Sequence, residues 1–457
     1  MSTAQPAKGT RDFAAEEVRK RQFIFSTIIG VYEEFGFEPL ETPAMENIET
    51  LTGKYGEEGD QLLFRILRSG NFLTKVAEDE LTTEALNKLR AKIVDKGLRY
   101  DLTIPFARFV AKNHQTIGLP YKRYQIQPVW RADRPAKGRY REFYQCDADV
   151  AGAKSALSDS EFVLMIDQVF SRLNMPRVTT HLNNRKVLFG IAENHGLEGR
   201  FIDMTVAFDK LDKIGVDGVA KELANRGFSE TEVHALMPYL NLNGSNEELI
   251  AEMRSKFTNT ETGNVGLTEL EEVLEYVSAI NIVHSDVKVN FALARGLNYY
   301  TGTIYEVTLN GVEMGSVASG GRYDDLTSMF GLNDVPGVGL SFGAERIYDV
   351  MEQLNLFPKN QTGGLKVYFT NMDAKNALVS FKAMNQMRNA GIKCDMFPTP
   401  SKLGKQFKLA DKKQAQYVVV IGDDEAAKNL LALKDLATGT QHLLSVEEAI
   451  SHIKNGQ

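Results

Sequence analysis

The chain has 457 residues, of which 43% are apolar and 25% charged, and its formal net charge is −7. This composition excludes collagen-like, disordered and membrane-spanning chains, and the length predicts about three domains. Two distant cysteines, Cys146 and Cys394, predict neither a disulfide framework nor a cysteine zinc site. The polar opening residues lack the apolar core of a secretory signal, so we expect a cytoplasmic protein that is neither exported nor embedded.

The first part of the chain predicts one helix followed by strands. Apolar residues at helical spacing predict an amphipathic helix over residues 12–36. Alternating apolar and polar residues predict strands over 98–103, 123–131 and 143–150, with Pro128 at a sheet edge or a bulge. One apolar face and one polar face are typical of an antiparallel sheet whose polar side is wet or binds a ligand.

A change of pattern then predicts an inserted helical domain over residues 182–280. Two capping boxes are expected to start helices in it, namely Ser229 with Glu232 and Thr268 with Glu271.

The rest of the chain returns to strands. Strand-like runs cover 288–294 and 303–309, and a glycine-punctuated turn over 336–343 leads into a further helix. After a linker over 355–364, residues 365–457 alternate strands with helices, which predicts a compact α/β domain with a mostly parallel sheet. This last segment holds 13 Lys and Arg against 9 Asp and Glu. The surplus could favour a polyanion, although so modest an excess is more often a solvated surface.

Several catalytic motifs are missing from the sequence. It contains no P-loop, HExxH or GxSxG motif, and PGVGLSFG departs by one residue from the dinucleotide-binding pattern. What remains is centred on arginine, because residues 131–141 hold five basic side chains with only Asp133 opposing. Guanidinium groups bind phosphate oxygens in two-pronged fashion, although a solvated basic hairpin would have the same sequence. Arg295 and Arg346 lie beside glycines in apolar segments, where lone arginines usually pair with structural acids.

Eight segments occur together in the order found in one family. They are KGTRDF, FEPLETPAME, YDLTIPFARF, KRYQIQPVWRADRPAKGRYREFYQCDADVAG, LNNRK, ARGLNYYTGTIYE, SGGRYDDL and GVGLSFGAERI. On these segments the chain resembles the histidyl-tRNA synthetases, a family of class II aminoacyl-tRNA synthetases, over nearly its whole length. The second, fourth and eighth segments are similar to class motifs 1, 2 and 3, and the sixth and seventh to the two histidine-binding signatures.

The resemblance implies an α+β fold, with the antiparallel-sheet catalytic domain of class II synthetases, a helical insertion and a C-terminal α/β anticodon-binding domain. The expected boundaries are 1–181 and 281–354 for the two parts of the catalytic domain, 182–280 for the insertion, 355–364 for the linker and 365–457 for the anticodon-binding domain. Pro43 resembles the motif 1 proline at the dimer interface, so we expect a homodimer, although a proline that ends a strand needs no partner.

A two-step reaction is implied as well. L-Histidine and ATP, with Mg2+, would give histidyl-adenylate and pyrophosphate, and the histidyl group would then pass to the 3′ end of tRNA(His). Because the carboxylate of histidine is already a nucleophile, the protein has only to align it with the α-phosphate and stabilise the moving charge. No protein side chain is expected to bind the metal.

Residue roles carry over by similarity. Arg295 and Arg131 are expected to be the catalytic residues that stabilise charge. The expected ATP-binding residues are Arg131, Asp133, Arg139 and Arg346. The expected histidine-binding residues are Asp101, Leu102, Thr103, Gln145, Asp149, Arg295, Tyr299, Tyr300 and Tyr323. The expected tRNA-binding residues are Arg134, Lys402, Lys405 and Lys408.

Two positions depart from the family pattern, and two other interpretations stay open. Asp133 stands where the class often has glutamate, which leaves its contact with adenine open, and Asn298 stands where the family often has aspartate. A non-catalytic regulatory subunit of ATP phosphoribosyltransferase shares the scaffold, but such subunits lack the anticodon-binding domain and tend to lose the arginines. A class II enzyme for another amino acid is disfavoured by the RGLNYY and GGRYDD segments.

Overall fold

The computed structural model describes residues 4–52, 62–74, 76–82, 85–135, 138–294, 299–358 and 364–455. The chain forms two compact units: a large unit of residues 1–12 and 24–356, and a small unit of residues 13–23 and 357–457. Among the described residues, no helix combines the length and the apolar character needed to cross a membrane.

Strands and helices alternate irregularly along the large unit. Its strands are β1 (Glu38–Pro39), β2 (Met45–Asn47), β3 (Phe64–Leu67), β4 (Val94–Leu98), β5 (Tyr121–Trp130), β6 (Glu142–Ala151), β7 (Val178–Asn184), β8 (Ser285–Val289), β9 (Thr303–Leu309), β10 (Ala318–Tyr323) and β11 (Gly337–Phe342). Helix α1 (Ala15–Glu34) belongs in part to each unit. The other helices are α2 (Ile48–Leu51), α3 (Leu86–Ile93), α4 (Thr103–Ile117), α5 (Ala156–Arg172), α6 (Arg185–Asn194), α7 (Phe201–Phe208), α8 (Leu211–Asn225), α9 (Glu230–Leu236), α10 (Asn246–Lys256), α11 (Glu261–Ser278) and α12 (Ala344–Gln353). Short 3-10 helices are Glu78–Glu80, Glu198–Arg200, Met237–Leu240 and Leu326–Phe330.

The main sheet of the large unit has eight strands in the order β1-β5-β6-β11-β10-β9-β7-β8. Its pairings are antiparallel except for β1 with β5 and β7 with β8. The predicted strands over 123–131 and 143–150 are confirmed as β5 and β6, which pair over ten residues each. A smaller sheet has the order β2-β4-β3.

One face of the main sheet packs against helices and leaves the other face for a site. The Tyr32 hydroxyl of α1 donates to the carbonyl of Cys146 at 2.7 Å, and the Phe170 ring of α5 lies 5.7 Å from that of Phe342. The alternation of β6 therefore directs its apolar side chains towards α1 and α5 and its polar side chains to the opposite face.

The prediction of a strand over residues 98–103 is wrong. Strand β4 ends at Leu98 and helix α4 begins at Thr103. Arg99 is 1% exposed and donates to the carbonyl oxygens of Thr42 at 2.6 Å and Pro128 at 3.0 Å. The buried guanidinium group therefore ties the segment between β4 and α4 to carbonyls of two other segments.

The glycine-punctuated turn predicted over 336–343 is also wrong, because most of it forms the central strand β11. Gly339 lies opposite Asp149 on β6, and a Cβ atom on Gly339 would lie 2.1 Å from the Asp149 Oδ1. The glycines of this segment therefore make room for neighbouring side chains within a strand. The run over 288–294 is a strand only as far as Val289, where β8 ends.

Helices α6 to α11 cover the stretch that was predicted to be helical. The capping box of Ser229 with Glu232 is confirmed at the start of α9. The box of Thr268 with Glu271 is wrong, because Thr268 lies inside α11 and its hydroxyl donates to the carbonyl of Asn264. Thr260 caps this helix instead, so the helix begins about two turns before the predicted cap at Thr268.

The small unit alternates strands and helices as predicted, but its sheet is mixed. Its elements are β12 (Val367–Phe369), α13 (Ala374–Asn389), β13 (Cys394–Met396), α14 (Leu403–Lys412), β14 (Tyr417–Val420), α15 (Asp423–Ala427), β15 (Leu431–Asp435), β16 (Gln441–Leu444) and α16 (Val446–Asn455). The order is β13-β12-β14-β15-β16, and the first two pairings are parallel whereas the last two are antiparallel.

Candidate active site

Four aspartates line a cavity of about 360 Å³ in the large unit, and three of them, Asp101, Asp147 and Asp149, are buried. Asp101 reaches it from the residues before α4, and Asp147 and Asp149 reach it from β6, where alternate side chains share a face. We call this space the aspartate cavity. It is also lined by Thr103, Gln145, Tyr299, Tyr300 and Tyr323.

Asp149 is held by two polar neighbours at the floor of this cavity. The Arg123 Nη2 lies 2.7 Å from the Asp149 Oδ2, and the Tyr323 hydroxyl donates to Asp149. Arg123 is completely buried and also donates to the carbonyl of Leu102 at 3.2 Å. Burial raises the pKa of the Asp149 carboxyl, while the charge of Arg123 and the Tyr323 hydrogen bond oppose that rise.

Asp147 lies beside Asp149 but is held less firmly. It is 3% exposed, and within the described parts of the chain its Oδ1 accepts no hydrogen bond. Burial raises the pKa of Asp147 to about 7. The nearby Asp149 and Asp101 act in the same direction, whereas Arg123 and a hydrogen bond from Ser341 oppose it. The alternation over 143–150 puts Asp147 on the polar face of the strand, and the resemblance implies no role for it.

The residues before and at the start of α4 contribute unequally. Asp101 and Thr103 line the aspartate cavity, and the Asp101 Oδ1 accepts a hydrogen bond from the Ile104 backbone N–H at 3.3 Å. The Leu102 side chain is fully buried and lies apart from the cavity-lining residues. The structure therefore does not bring Leu102 into the site as a side chain, since the backbone turns into a helix here and sends that side chain to the core.

Three tyrosines form one wall of the same cavity. The ring centres of Tyr299 and Tyr300 are 4.6 Å apart, and those of Tyr299 and Tyr323 are 5.8 Å apart. Burial raises the pKa of all three hydroxyls above the ordinary tyrosine value. They are therefore neutral groups near pH 7 that can donate or accept hydrogen bonds.

A second cavity of about 290 Å³ is lined by Arg131, Arg139 and Arg346, and we call it the arginine cavity. The Arg131 Nε donates to the carbonyl of Tyr100 at 3.0 Å, and its guanidinium carbon lies 5.2 Å from the centre of the Phe143 ring. Arg346, in the first turn of α12, donates to a backbone carbonyl. The two cavities adjoin, because both are lined by Arg131, Asp133, Arg139 and Gln145.

Comparisons with known proteins identify the family. A family model described as histidyl-tRNA synthetase matches residues 9–347, and an anticodon-binding-domain model matches residues 366–456. The chain belongs to the histidyl-tRNA synthetase family. It is 47% identical to a histidine–tRNA ligase of Phocaeicola vulgatus over 98% of both chains, and 49% identical to that of Christiangramia forsetii over 95% of both.

A solved structure agrees over the whole fold. The crystal structure of histidyl-tRNA synthetase from Nostoc matches with a TM-score of 0.82 at 29% identity, and the match covers 100% of both chains. The α+β fold with a separate C-terminal anticodon-binding domain, expected from the sequence, is therefore confirmed.

The expected site residues of this synthetase-family chain do not all fall within the cavities. Arg295 and Asn298 lie outside the described residues. Arg134 is exposed and belongs to neither set of lining residues. The three lysines expected to contact tRNA, Lys402, Lys405 and Lys408, are exposed at or near the start of α14 in the small unit.

Two residues that help to build the site were missed. Arg123 could have been found from the hairpin, because two strands joined by the 131–141 loop place Arg123 opposite Asp149. Arg11 lies in the KGTRDF segment, which was quoted without a role. Its Nη2 pairs with Glu345 of the arginine cavity at 2.5 Å, and its guanidinium lies 3.3 Å from the Tyr140 ring centre. No local pattern signals that pair, since 334 residues separate the partners.

Proposed function

We propose that the chain acts as a histidine–tRNA ligase through the two adjoining cavities. It joins histidine to ATP, releases pyrophosphate, and transfers the histidyl group from histidyl-adenylate to the 3′ end of tRNA(His). The observation that carries the proposal is that Arg131 and Arg139 line both cavities. An amino acid among the carboxylates and a triphosphate among the arginines would then meet with their reacting groups at these side chains.

Histidine is proposed to occupy the aspartate cavity. Asp101, Thr103 and Gln145 would hold its α-ammonium end, where the buried Asp101 supplies the opposing charge. Asp149, which accepts a hydrogen bond from the Tyr323 hydroxyl, would bind the imidazole ring together with Tyr323. Tyr299 and Tyr300 would complete this part of the pocket. A smaller or apolar side chain would leave these buried polar groups unpaired, and such mismatches give strong discrimination.

ATP is proposed to occupy the arginine cavity as its Mg2+ complex, with the metal carried by the phosphates. Arg131, at the border of the cavities, would bind the α-phosphate, and Arg346 would bind the far end of the nucleotide. Arg139 would hold the outer phosphates and Asp133 would lie near the base. Arg295 would contact both the carboxylate of histidine and the α-phosphate. Positioned cations lower the barrier because they stabilise charge that develops on the leaving oxygens.

Transfer RNA is proposed to contact the positively charged small unit. The anticodon-binding-domain match covers residues 366–456, which include the exposed Lys402, Lys405 and Lys408. Lysines bind the phosphate backbone without reading bases, so these three would contribute affinity that weakens with salt. Arg134, exposed beside the cavities, would contact the acceptor end.

One feature of the relatives favours the ligase over the regulatory subunit. The alignments with histidine–tRNA ligases span 95–98% of both chains, and they therefore include the small unit that such regulatory subunits lack. A homodimer and a cytoplasmic location remain predictions, and sedimentation of the purified chain would test the first of them.

Pyrophosphate exchange tests the proposal directly. With ATP and each of the twenty amino acids in turn, exchange should occur with histidine alone, and the charged product should form on tRNA(His). Arg295→Ala should fold normally and lose exchange. Near-normal exchange in Arg295→Ala would remove its assigned role, and exchange with another amino acid would replace the function.

A further inference from the structure

Asp147 has no part in the roles above, although it lies in the middle of the proposed histidine site. It stands on β6 between Gln145 and Asp149, and all three side chains line the aspartate cavity. It is 3% exposed, and among the described residues its Oδ1 accepts no hydrogen bond. A buried acceptor that faces a cavity without a partner is costly unless a ligand or a proton satisfies it.

The charges around Asp147 do not balance. Arg123 faces it from β5, Asp149 from its own strand and Asp101 from the residues before α4, while β11 contributes the uncharged Ser341. The wall of the cavity carries neutral tyrosine hydroxyls, and its border with the arginine cavity carries Arg131, Asp133 and Arg139. Ionisation of Asp101, Asp147 and Asp149 together against the buried Arg123 would leave excess negative charge on the floor, which burial disfavours.

We propose that Asp147 is a further substrate-binding residue, which holds a proton in the empty cavity and releases it to solvent when the α-ammonium group of histidine binds. The inference rests on the proposed function, since it takes histidine as the occupant of this cavity. The ammonium group is the cation concerned, because it is charged near pH 7 whereas imidazole is largely neutral there. One positive charge thus replaces another, and the ionised Asp147 becomes an acceptor for the substrate.

The titration of Asp147 supports this exchange. Burial raises the pKa of Asp147 to about 7, so a fraction of the molecules holds the proton at pH 7 before histidine binds. A bound ammonium group nearby lowers that pKa, so histidine binding should release this proton at pH 7, and the release should fall towards zero at pH 8.5.

Calorimetry of the full chain measures this release. Histidine binding to the wild type and to Asp147→Asn is titrated at pH 7 and 8.5 in pairs of buffers with different ionisation enthalpies, which gives the number of protons exchanged. Imidazolepropionate, which keeps the ring and the carboxylate but lacks the ammonium group, is the matched ligand. Protons from the imidazole ring are exchanged by both proteins, so the release due to Asp147 is the difference between them. We expect this difference at pH 7 with histidine and none with imidazolepropionate. An equal difference with both ligands would overturn the assignment to the ammonium group.

Two isosteric variants complete the test. Asp147→Asn should release fewer protons than the wild type on binding histidine at pH 7, and its histidine affinity should depend less on pH between pH 7 and 8.5. Asp167→Asn is the control, because Asp167 is also a buried carboxylate but lies outside the aspartate cavity, where it accepts from the backbone N–H groups of His284 and Ser285. Unchanged release in Asp147→Asn would overturn the proposal.

Failure of this inference is distinguishable from failure of the proposed function. Wild-type protein that supports histidine-dependent pyrophosphate exchange but releases no more protons than Asp147→Asn on binding histidine would sink the role of Asp147 alone. Wild-type protein without histidine-dependent exchange would sink the function on which it rests.

Discussion

The two adjoining cavities use charge in opposite ways. The aspartate cavity buries its charges: Asp101, Asp147 and Asp149 are each 2–3% exposed, and Arg123 is inaccessible. In the arginine cavity, Arg131 is half-buried and Arg139 is exposed. Buried charges need fixed partners, so the first cavity is suited to selecting one small substrate. Half-exposed guanidinium groups bind phosphate oxygens that bring their own counter-charge, so the second cavity is suited to promoting the reaction.

The largest effect on the reaction rate is expected from the loss of Arg131 in the arginine cavity. Arg131→Ala removes a charge that stabilises the transition state, and one such group commonly changes a rate by about 100-fold to 1,000-fold. Pyrophosphate exchange should fall by that factor while thermal unfolding changes little. Arg172→Ala, which removes a surface ion pair with Glu34, is the control and should leave exchange unchanged. A fall of less than about tenfold in Arg131→Ala would contradict the assignment.

The aspartate cavity should respond in binding more than in rate. Tyr323→Phe removes the hydroxyl that donates to Asp149, and a hydrogen bond to a charged group contributes about 1.5–3 kcal/mol. The KM for histidine should rise by about 10-fold to 150-fold, as measured by pyrophosphate exchange.

Tyr305→Phe is the matched control for that change. Its hydroxyl donates to the buried Asp159 at 3.1 Å outside both cavities, so the variant should lose stability with the KM unchanged. Equal effects of the two variants on KM would mean that the Tyr323 hydroxyl acts through folding only.

Stability should depend on pH through the buried carboxylates. The pKa of Asp147 is about 7 in the folded protein and about 3.9 in an unfolded chain. The folded state therefore binds more protons than the unfolded state between about pH 4 and pH 7, and it loses stability as the pH rises through that window. Asp147→Asn cannot ionise, so its melting temperature should exceed that of the wild type by more at pH 8 than at pH 5. Thermal unfolding at the two pH values measures this, and an equal difference at both would refute it.

The smallest effect is expected on the surface of the small unit. Lys405→Ala and Lys408→Ala should each weaken tRNA binding a few-fold. Each should also make the plot of log affinity against log salt concentration less steep, by less than the slope that corresponds to about one phosphate contact. Histidine activation without tRNA should not change. Lys375→Ala, an exposed lysine of α13 that pairs with Asp423, is the control. Filter binding at several salt concentrations measures the slopes. Identical slopes for all three variants would mean that α14 does not contact tRNA.

Local sequence patterns predicted the elements whose residues alternate or cluster. β5 and β6 follow from alternation, the helix of α1 from its spacing, and the box at Ser229 from its acidic partner three residues later. The patterns failed in two other segments. Strand β4 stops at Leu98 and the chain enters α4 at Thr103, and Gly339 of β11 makes room for Asp149 within a strand instead of marking a turn.

By itself, the sequence determined the antiparallel sheet and the polar face of β6, because these depend on residue types and on period. The family followed from the resemblance of eight segments in their order. Only the tertiary structure decided that Asp101 and Asp147 share one cavity, that Arg123 lies beneath Asp149, and that the Arg131 side chain borders both cavities. Those relations depend on desolvation and on contacts between distant segments. The sequence shows the same aspartate whether its carboxylate is surrounded by water or buried in the protein, but the pKa of the carboxyl group differs between the two environments.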